Sequence, residues 1–465
     1  MSVAYRSPGV YREDVFLQPE VELPTGVPAF IGFADAIAKL NVLPAGVQFP
    51  DTLPAVLKSR LRYDSKQKRL VLSGNLTPDD RDLLLALSPD SAFRKAVGGL
   101  FLNGQAVVSL RRKQEFTDNF LGLPAGYVAD APAGYLADAV IGFFENGGSR
   151  CYLARADSLN VSKTALIGAI ALLSPLTDLD LVAVPDVMTL RVNGQIDQEA
   201  VIQVQQRVVQ HCSSQDNRRK IQDELSAEGN RMAILDALPG SSAEEVKQQR
   251  LNLLQNQPEP VNAALYYPWL QNSQRRWVPP CGHVAGIFAR SDAAHGVSKA
   301  PANEDIRDAL DLEIPIDNTV QDDLNPAQIN CLRSFPGRGI RIWGARTLSR
   351  DPNWRYINVR RVFLTLGRWI DSNMRWASFE PNSPRLWVRV QRELSVYLDR
   401  LWQAGALQGQ SSQQAFYVKC DAETNPSDRR EAGELVTEIG LAVAAPAEFL
   451  VIRIIHRAGG IEVGA

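Results

Sequence analysis

The chain is poor in the residues on which most catalytic and metal chemistry depends: 465 residues include only four histidines and five cysteines. Cys151, Cys212, Cys281, Cys331 and Cys420 are odd in number, widely spaced and never in a C-x-x-C pair. That pattern excludes a conventional disulfide framework and predicts reduced, mostly buried thiols. Cys281 and His283 stand close together with His295 beyond them, but no second C-x-x-C or H-x-x-x-H completes the roughly four ligands that zinc requires. Neither metal nor cofactor is expected. A G-x-G-x-x-G turn after a strand, a G-x-x-x-x-G-K-[ST] loop and a G-x-S-x-G elbow are all missing, which removes the usual nucleotide sites and the usual serine nucleophile. Long apolar runs are missing too. The longest, Ala165 to Leu173, is broken by Ser174-Pro175 well short of a membrane span, and the opening MSVAYRSPGVYRED lacks a signal-peptide core. The expectation is a protein made and folded in the cytoplasm, without direct membrane insertion. Fifty basic against 52 acidic residues leave a formal charge of -2, so no global field draws the chain to nucleic acid, and none is expected as a partner.

What is present is an ordered alternation of elements in a chain long enough for about two to three domains. Val27 to Ala34 is a short apolar run that predicts a buried strand. Residues 41 to 55 carry Pro44, Gly46, Pro50 and Pro54, a linker composition. Beyond them Leu61 to Tyr63 and Arg69 to Leu72 read as a hairpin. Thr77 caps a helix bearing Leu83, Leu84 and Leu87, and a second helix carries Phe93, Val97 and Leu100. Residues 56–103 therefore read as a small inserted module with its own core. From Tyr135 to Trp269, strands at Cys151 to Ala154, Leu179 to Val184, Ala233 to Leu235 and Ala264 to Tyr267 alternate with helices near 135–146, 162–173, 197–211 and 243–255. Helices between short apolar strands predict an α/β layer with a mainly parallel sheet. An enzyme built on residues 105–280 would place its site at the strand ends, at Asp186 and Asp236. The same two aspartates also suit helix caps and turns.

Charge is distributed unevenly. Between 331 and 405, fourteen arginines and no lysine face five carboxylates, a local balance of +9, whereas 406 to the end carries -3. This polarity suits head-to-tail contact between identical subunits or contact with an acidic partner, and arginine's planar fork favours paired carboxylates. Within Arg385 to Trp402, Leu386, Val390, Leu394, Tyr397, Leu398 and Leu401 form a helical apolar stripe with Arg389, Arg392 and Arg400 off it. Trp369, Trp376, Trp387 and Trp402 interleave with Leu and Val at helical spacing, which favours core packing over base stacking.

The order of the C-terminal pieces is specific: YINVRR before a helix, FEPN closing it, LW and then LW-x-x-GAL, F-x-VKCD, and a final AEF-x-x-x-RI. Together with GxxAGxxAR-x-D and GV-x-KAPAN between 279 and 303, and with Ser7-Pro8-Gly9-Val10-Tyr11 followed by Glu13 and Val15, this resembles the contractile tail sheath proteins. The resemblance covers about residues 1–35 and 105–465. It implies an α/β and α+β multidomain fold. The inner sheath domain would be built from both chain ends, 1–26 and 325–465; an outer α/β domain, 27–55 and 104–324, would lie between them, carrying the 56–103 module. It implies extended arms at both ends that pair with neighbouring subunits, through Pro8, Gly9, Val10, Tyr11, Glu13 and Val15 at one end and Phe449, Val451, Arg453 and Ile455 at the other. It also implies an inner tube, touched by Arg385, Arg389, Arg392 and Arg400, and stacked hexameric rings of the chain itself. Further implied partners are a baseplate and terminator or cap proteins, with sheath paralogues as a further option. The particle would assemble in a bacterial cytoplasm and then be released or held in the cell. Within the class, an extracellular injection system is the expectation, with a myophage tail or R-type tailocin as the alternative; an α/β enzyme with an assembly domain is the alternative of another class.

Overall fold

The computed structural model describes residues 23–39, 59–64, 69–73, 105–123, 125, 133–158, 160–213, 230–257, 259–443, 449–457 and 460–464. Its largest feature is an 11-stranded sheet. The strands are β1 (Pro28–Lys39), β2 (Leu61–Asp64), β3 (Arg69–Leu72), β4 (Val107–Leu110), β5 (Phe120–Gly122), β6 (Cys151–Ala156), β7 (Leu181–Ala183), β8 (Met232–Asp236), β9 (Ala263–Tyr267), β10 (Ile329–Phe335) and β11 (Gly339–Trp343). Its centre is parallel: β1 pairs in parallel with β6 and β7, and the parallel run continues through β8 and β9 to β10. Antiparallel strands, β11 on β10 and β3 on β1, continue it on either side. Both faces of the parallel centre are covered, so β7, β8 and β9 are buried along their whole length, and this is why they read as continuous apolar runs without alternation.

The covering helices are α1 (Leu136–Glu145), α2 (Lys163–Ala171), α3 (Gln198–Ser213), α4 (Ala243–Leu253) and α5 (Cys281–His295). Their starts are written in the sequence: the Ser162 hydroxyl accepts from the Ala165 amide, and Ser242 with Glu245 forms a complete capping box. The small residues in α5 answer to packing. A Cβ at Gly282 would collide with the backbone of Ala139, and one at Gly286 with the carbonyl of Phe143. The repeated glycine in GxxAGxxAR thus lets α5 lie backbone-close against α1.

A second hydrophobic core begins at Trp354. It gathers α6 (Ile357–Asn373), α7 (Pro384–Gln403) and a four-stranded antiparallel sheet in the order β12 (Phe416–Lys419), β13 (Leu435–Ala442), β14 (Phe449–Arg457), β15 (Gly460–Gly464). Helix α6 belongs to both cores: Ile357 and Leu364 pack into the first, while Val359, Val362, Phe363, Leu366, Trp369 and Ile370 pack into the second. Leu23 and Val297 pack against the second core as well.

Two expectations change. The inner domain implied from residue 325 onward does not start with the second core, because β10 and β11 follow residue 325 and extend the large sheet; the second core starts about thirty residues later. The hairpin at 61–72 is also not free-standing. Strand β3 pairs with Ala36 to Lys39 of β1, Val71 and Leu72 are buried, and the Ser73 hydroxyl donates to Asp35. A hairpin edge with apolar residues finds its partner on the overhanging half of a 12-residue strand. The linker at 41–55 and the helices expected between 77 and 100 lie outside the described residues.

Candidate assembly surface

The carboxylates that an enzyme would need are used internally. Asp186, fully buried, accepts from the amides of Phe33 (2.7 Å), Tyr135 (2.5 Å) and Leu136 (2.9 Å), tying β1 to the start of α1. Asp236 accepts from the Cys281 amide at 2.8 Å, at the start of α5. Cys281 is buried there, and His283 is packed against Gly142 with Nε2 3.7 Å from Asp308. Among the described residues there is no group of three or more His, Cys, Asp or Glu placed to hold a metal, and no helix long and apolar enough to cross a membrane. All five cysteines are buried and free.

Burial pushes the Asp236 carboxyl up to about 7, against its bonds to Cys281. Between about pH 4 and pH 7 the folded chain therefore holds a proton that the unfolded chain has released, so this group makes stability fall as pH rises through that window. Asp236→Asn keeps the acceptor and removes the titration. In urea unfolding, wild-type stability minus that of the variant is expected to drop by on the order of 3 kcal/mol from pH 4 to pH 7. A pH-independent difference would mean that water reaches the carboxylate.

The arginine-rich segment is divided between interior and surface. Arg360, Arg361 and Arg368 are buried, so the local +9 overstates the surface charge. Arg361 reaches Asp292 on α5 at 2.7 Å and Asp180, just before β7, at 2.9 Å. Asp180 also accepts from the amides of Gly26 (3.0 Å) and Val27 (2.7 Å), and Arg368 stands 3.7 Å from it. Arg360 donates to the Asn262 side chain at 2.6 Å and lies over the Trp354 ring. This cluster joins α6, α5, the large sheet and the point where the N-terminal segment enters β1. Reading the sequence alone missed it. The signal was there in part: Arg361 and Arg368 are seven apart and so share one helix face.

Helix α7 carries the candidate surface. Its buried side is Leu386, Trp387, Val390, Leu394 and Leu398, and Tyr397 stacks on Trp369 at 4.0 Å. Arg385, Arg392 and Arg400 are exposed on the other side. Arg389 is half-buried: it lies 3.6 Å over the Trp376 ring and pairs with Glu393 at 3.3 Å. Between the arginines, Val388 and Val396 are 65% and 48% exposed, apolar groups on a face that a soluble helix would keep polar. The FEPN turn before α7 is anchored by Asn382, which accepts from the Trp387 indole at 2.7 Å and donates to the Glu434 carbonyl at 2.8 Å.

Arm residues Pro8, Gly9, Val10, Tyr11, Glu13 and Val15 lie outside the described residues. Phe449, Val451, Arg453 and Ile455 all fall in β14, opposite Ala442, Gly440, Glu438 and Val436 of β13, with β15 along the other side of Arg453 to Arg457 only. The chain by itself thus supplies both neighbours for Arg453 to His456 of the strand expected to pair with another copy, and among the described residues Phe449 to Ile452 is paired on the β13 side alone.

Comparison with known proteins agrees with this architecture. Residues 203–348 match the phage tail sheath protein central domain and residues 349–457 the phage tail sheath C-terminal domain. A tail sheath protein of Vibrio phage KVP40 is 26% identical over 188 residues, 40% of this chain and 27% of that one; the chain thus matches little more than a quarter of that relative's length. A chain in the anti-feeding prophage baseplate structure superposes with a TM-score of 0.62 at 25% identity, covering 96% of this chain and 98% of that one. A chain in the contracted sheath complex of the PVC extracellular contractile injection system has the same fold, with a TM-score of 0.59 at 24% identity over 97% of each chain. The two family matches run without interruption from residue 203 to residue 457, more than half of the sequence, and the chain belongs to the contractile tail sheath protein family.

Proposed function

We propose that the chain is the structural subunit of a contractile sheath. It would polymerise as stacked hexameric rings around an inner tube, end on a baseplate, and contract to drive the tube through a target envelope. The observation that carries this reading is the near whole-chain likeness to a chain of an injection-system particle, which spans both cores. The injection-system branch is favoured over a phage tail because the likeness to phage relatives covers only part of their length.

The geometry supports a mechanical, non-enzymatic role. Asp186 and Asp236 are structural bonds, and the Arg361 cluster locks the two cores together through α6. A subunit so locked would move as one body, so that contraction changes contacts between subunits, with the free energy stored in those interfaces. Connection through the change would come from the arms. The register of β14 on β13 is equally available to β14 of a second copy, a strand exchange that costs no new chemistry, and the N-terminal residues Pro8 to Val15 would add the second link. Terminator or cap proteins and sheath paralogues would complete the particle, which would assemble in a bacterial cytoplasm.

The tube is assigned to the arginine face of α7, with Arg385, Arg389, Arg392 and Arg400 as its candidate contacts. Neutralising Arg385 and Arg389 with glutamine is expected to leave the subunit folded, at a cost of about 1–2 kcal/mol for the Trp376 stacking and Glu393 pairing that Arg389 gives up. Sheath should then strip from the tube at lower salt in a co-sedimentation assay. An unchanged salt midpoint would remove this part of α7 from the tube interface.

A further inference from the structure

Phe379 is 92% exposed and sits at a φ of 70°. A bulky residue in the left-handed region is strained, and a strained backbone that presents an aromatic ring to solvent persists where that ring is used. Beside it stands Glu380. At the other end of α7, a groove of about 730 Å³ runs between the helix and edge strand β12, with Val396, Phe416, Tyr417 and Val418 in its wall and Arg392 and Arg400 beside them. Val396 and Tyr417 are 48% and 37% exposed there.

We propose that the Phe379–Glu380 turn of one subunit docks in the α7–β12 groove of the next, the ring against the apolar wall and the carboxylate toward Arg392. The chain's own turn cannot serve. It joins α7 at Pro384, and from there to Val396 the helix climbs about 18 Å. Knob and groove thus lie at opposite ends of one rigid helix, which makes the contact heterologous: each copy offers its knob to one neighbour and its groove to another, the arrangement that builds rings and open helices. The charges favour the fit, since the groove is lined by two arginines against one acid, Asp399, and the knob carries an acid. This divides the face of α7. Of the four candidate tube contacts, this proposal reassigns Arg392 and Arg400 to the subunit contact and leaves Arg385 and Arg389 for the tube.

The proposal rests on the reading of the chain as a self-assembling sheath subunit, and the test separates the two. Full-length chain carrying Phe379→Cys and Val396→Cys is co-expressed with its tube and oxidised after assembly; the native cysteines are buried. A ladder of sheath multimers on a non-reducing gel, absent from either single variant, is the expected result. In parallel, Glu380→Arg and Arg392→Glu should each lower the assembled fraction at least tenfold, and the two together should restore it. Wild-type particles that assemble while the double-cysteine particles give no ladder, or a cross-link to the tube instead, would overturn the contact and leave the sheath reading standing. A wild-type chain that never polymerises would overturn both.

Discussion

Arg361→Met is expected to destabilise the folded subunit by about 3–5 kcal/mol, the range for removing one partner of a buried ion cluster. The guanidinium stands between Asp180 and Asp292, and all three side chains are no more than 4% exposed. Without it, two carboxylates remain in the interior with no counter-charge except Arg368, 3.7 Å from Asp180. The loss should not stay local, because Asp180 also holds the amides of Gly26 and Val27. Adding Asp292→Asn to Arg361→Met should recover part of the loss, since one uncompensated charge is then gone. Denaturant unfolding of the unassembled subunit gives the numbers; a loss below about 0.5 kcal/mol, the scale of an ordinary surface change, would show that the cluster is solvated and does not lock the cores.

Cutting the chain after Ala447 is expected to abolish long sheaths while leaving the large sheet folded. The cut removes β14 and β15, and with them the pairing from Leu435↔His456 to Ala442↔Phe449. Ile452→Pro should act similarly, since it breaks the β strand where Ile452 pairs with Ile439 of β13, whereas Ile452→Val should assemble normally. Under strand exchange the truncated protein remains a soluble, folded monomer that fails to polymerise. If particles of normal length form from it, the terminal strands serve only their own subunit, and linked arms have no part in contraction.

Much of the large domain was legible in the sequence because its strands are buried on both faces and its helices are amphipathic. Cys151 to Ala154 became β6 (Cys151–Ala156), and the helix expected at 243–255 became α4 (Ala243–Leu253). The apolar stripe of α7 was equally readable, since it depends only on helical period. What failed depended on distance in sequence. Arg361 finds Asp180 181 residues away, and the shared face of Arg361 and Arg368 does not by itself tell a buried face from a solvated one, so the charge count credited Arg360, Arg361 and Arg368 to the surface. The domain bound implied at 324/325 fell inside one core, because whether the next strand joins the sheet is decided by the free edge of β9. Phe379 was visible within FEPN, but its exposure was not, since an aromatic between two helices usually packs inward.

Electron microscopy of the chain co-expressed with its tube and baseplate proteins tests the central claim most directly. The account predicts stacked six-membered rings around the tube and, after triggering, a shorter and wider sheath from which the tube protrudes. A chain that stays monomeric in the presence of an assembled tube, or rings that never enclose one, would contradict it.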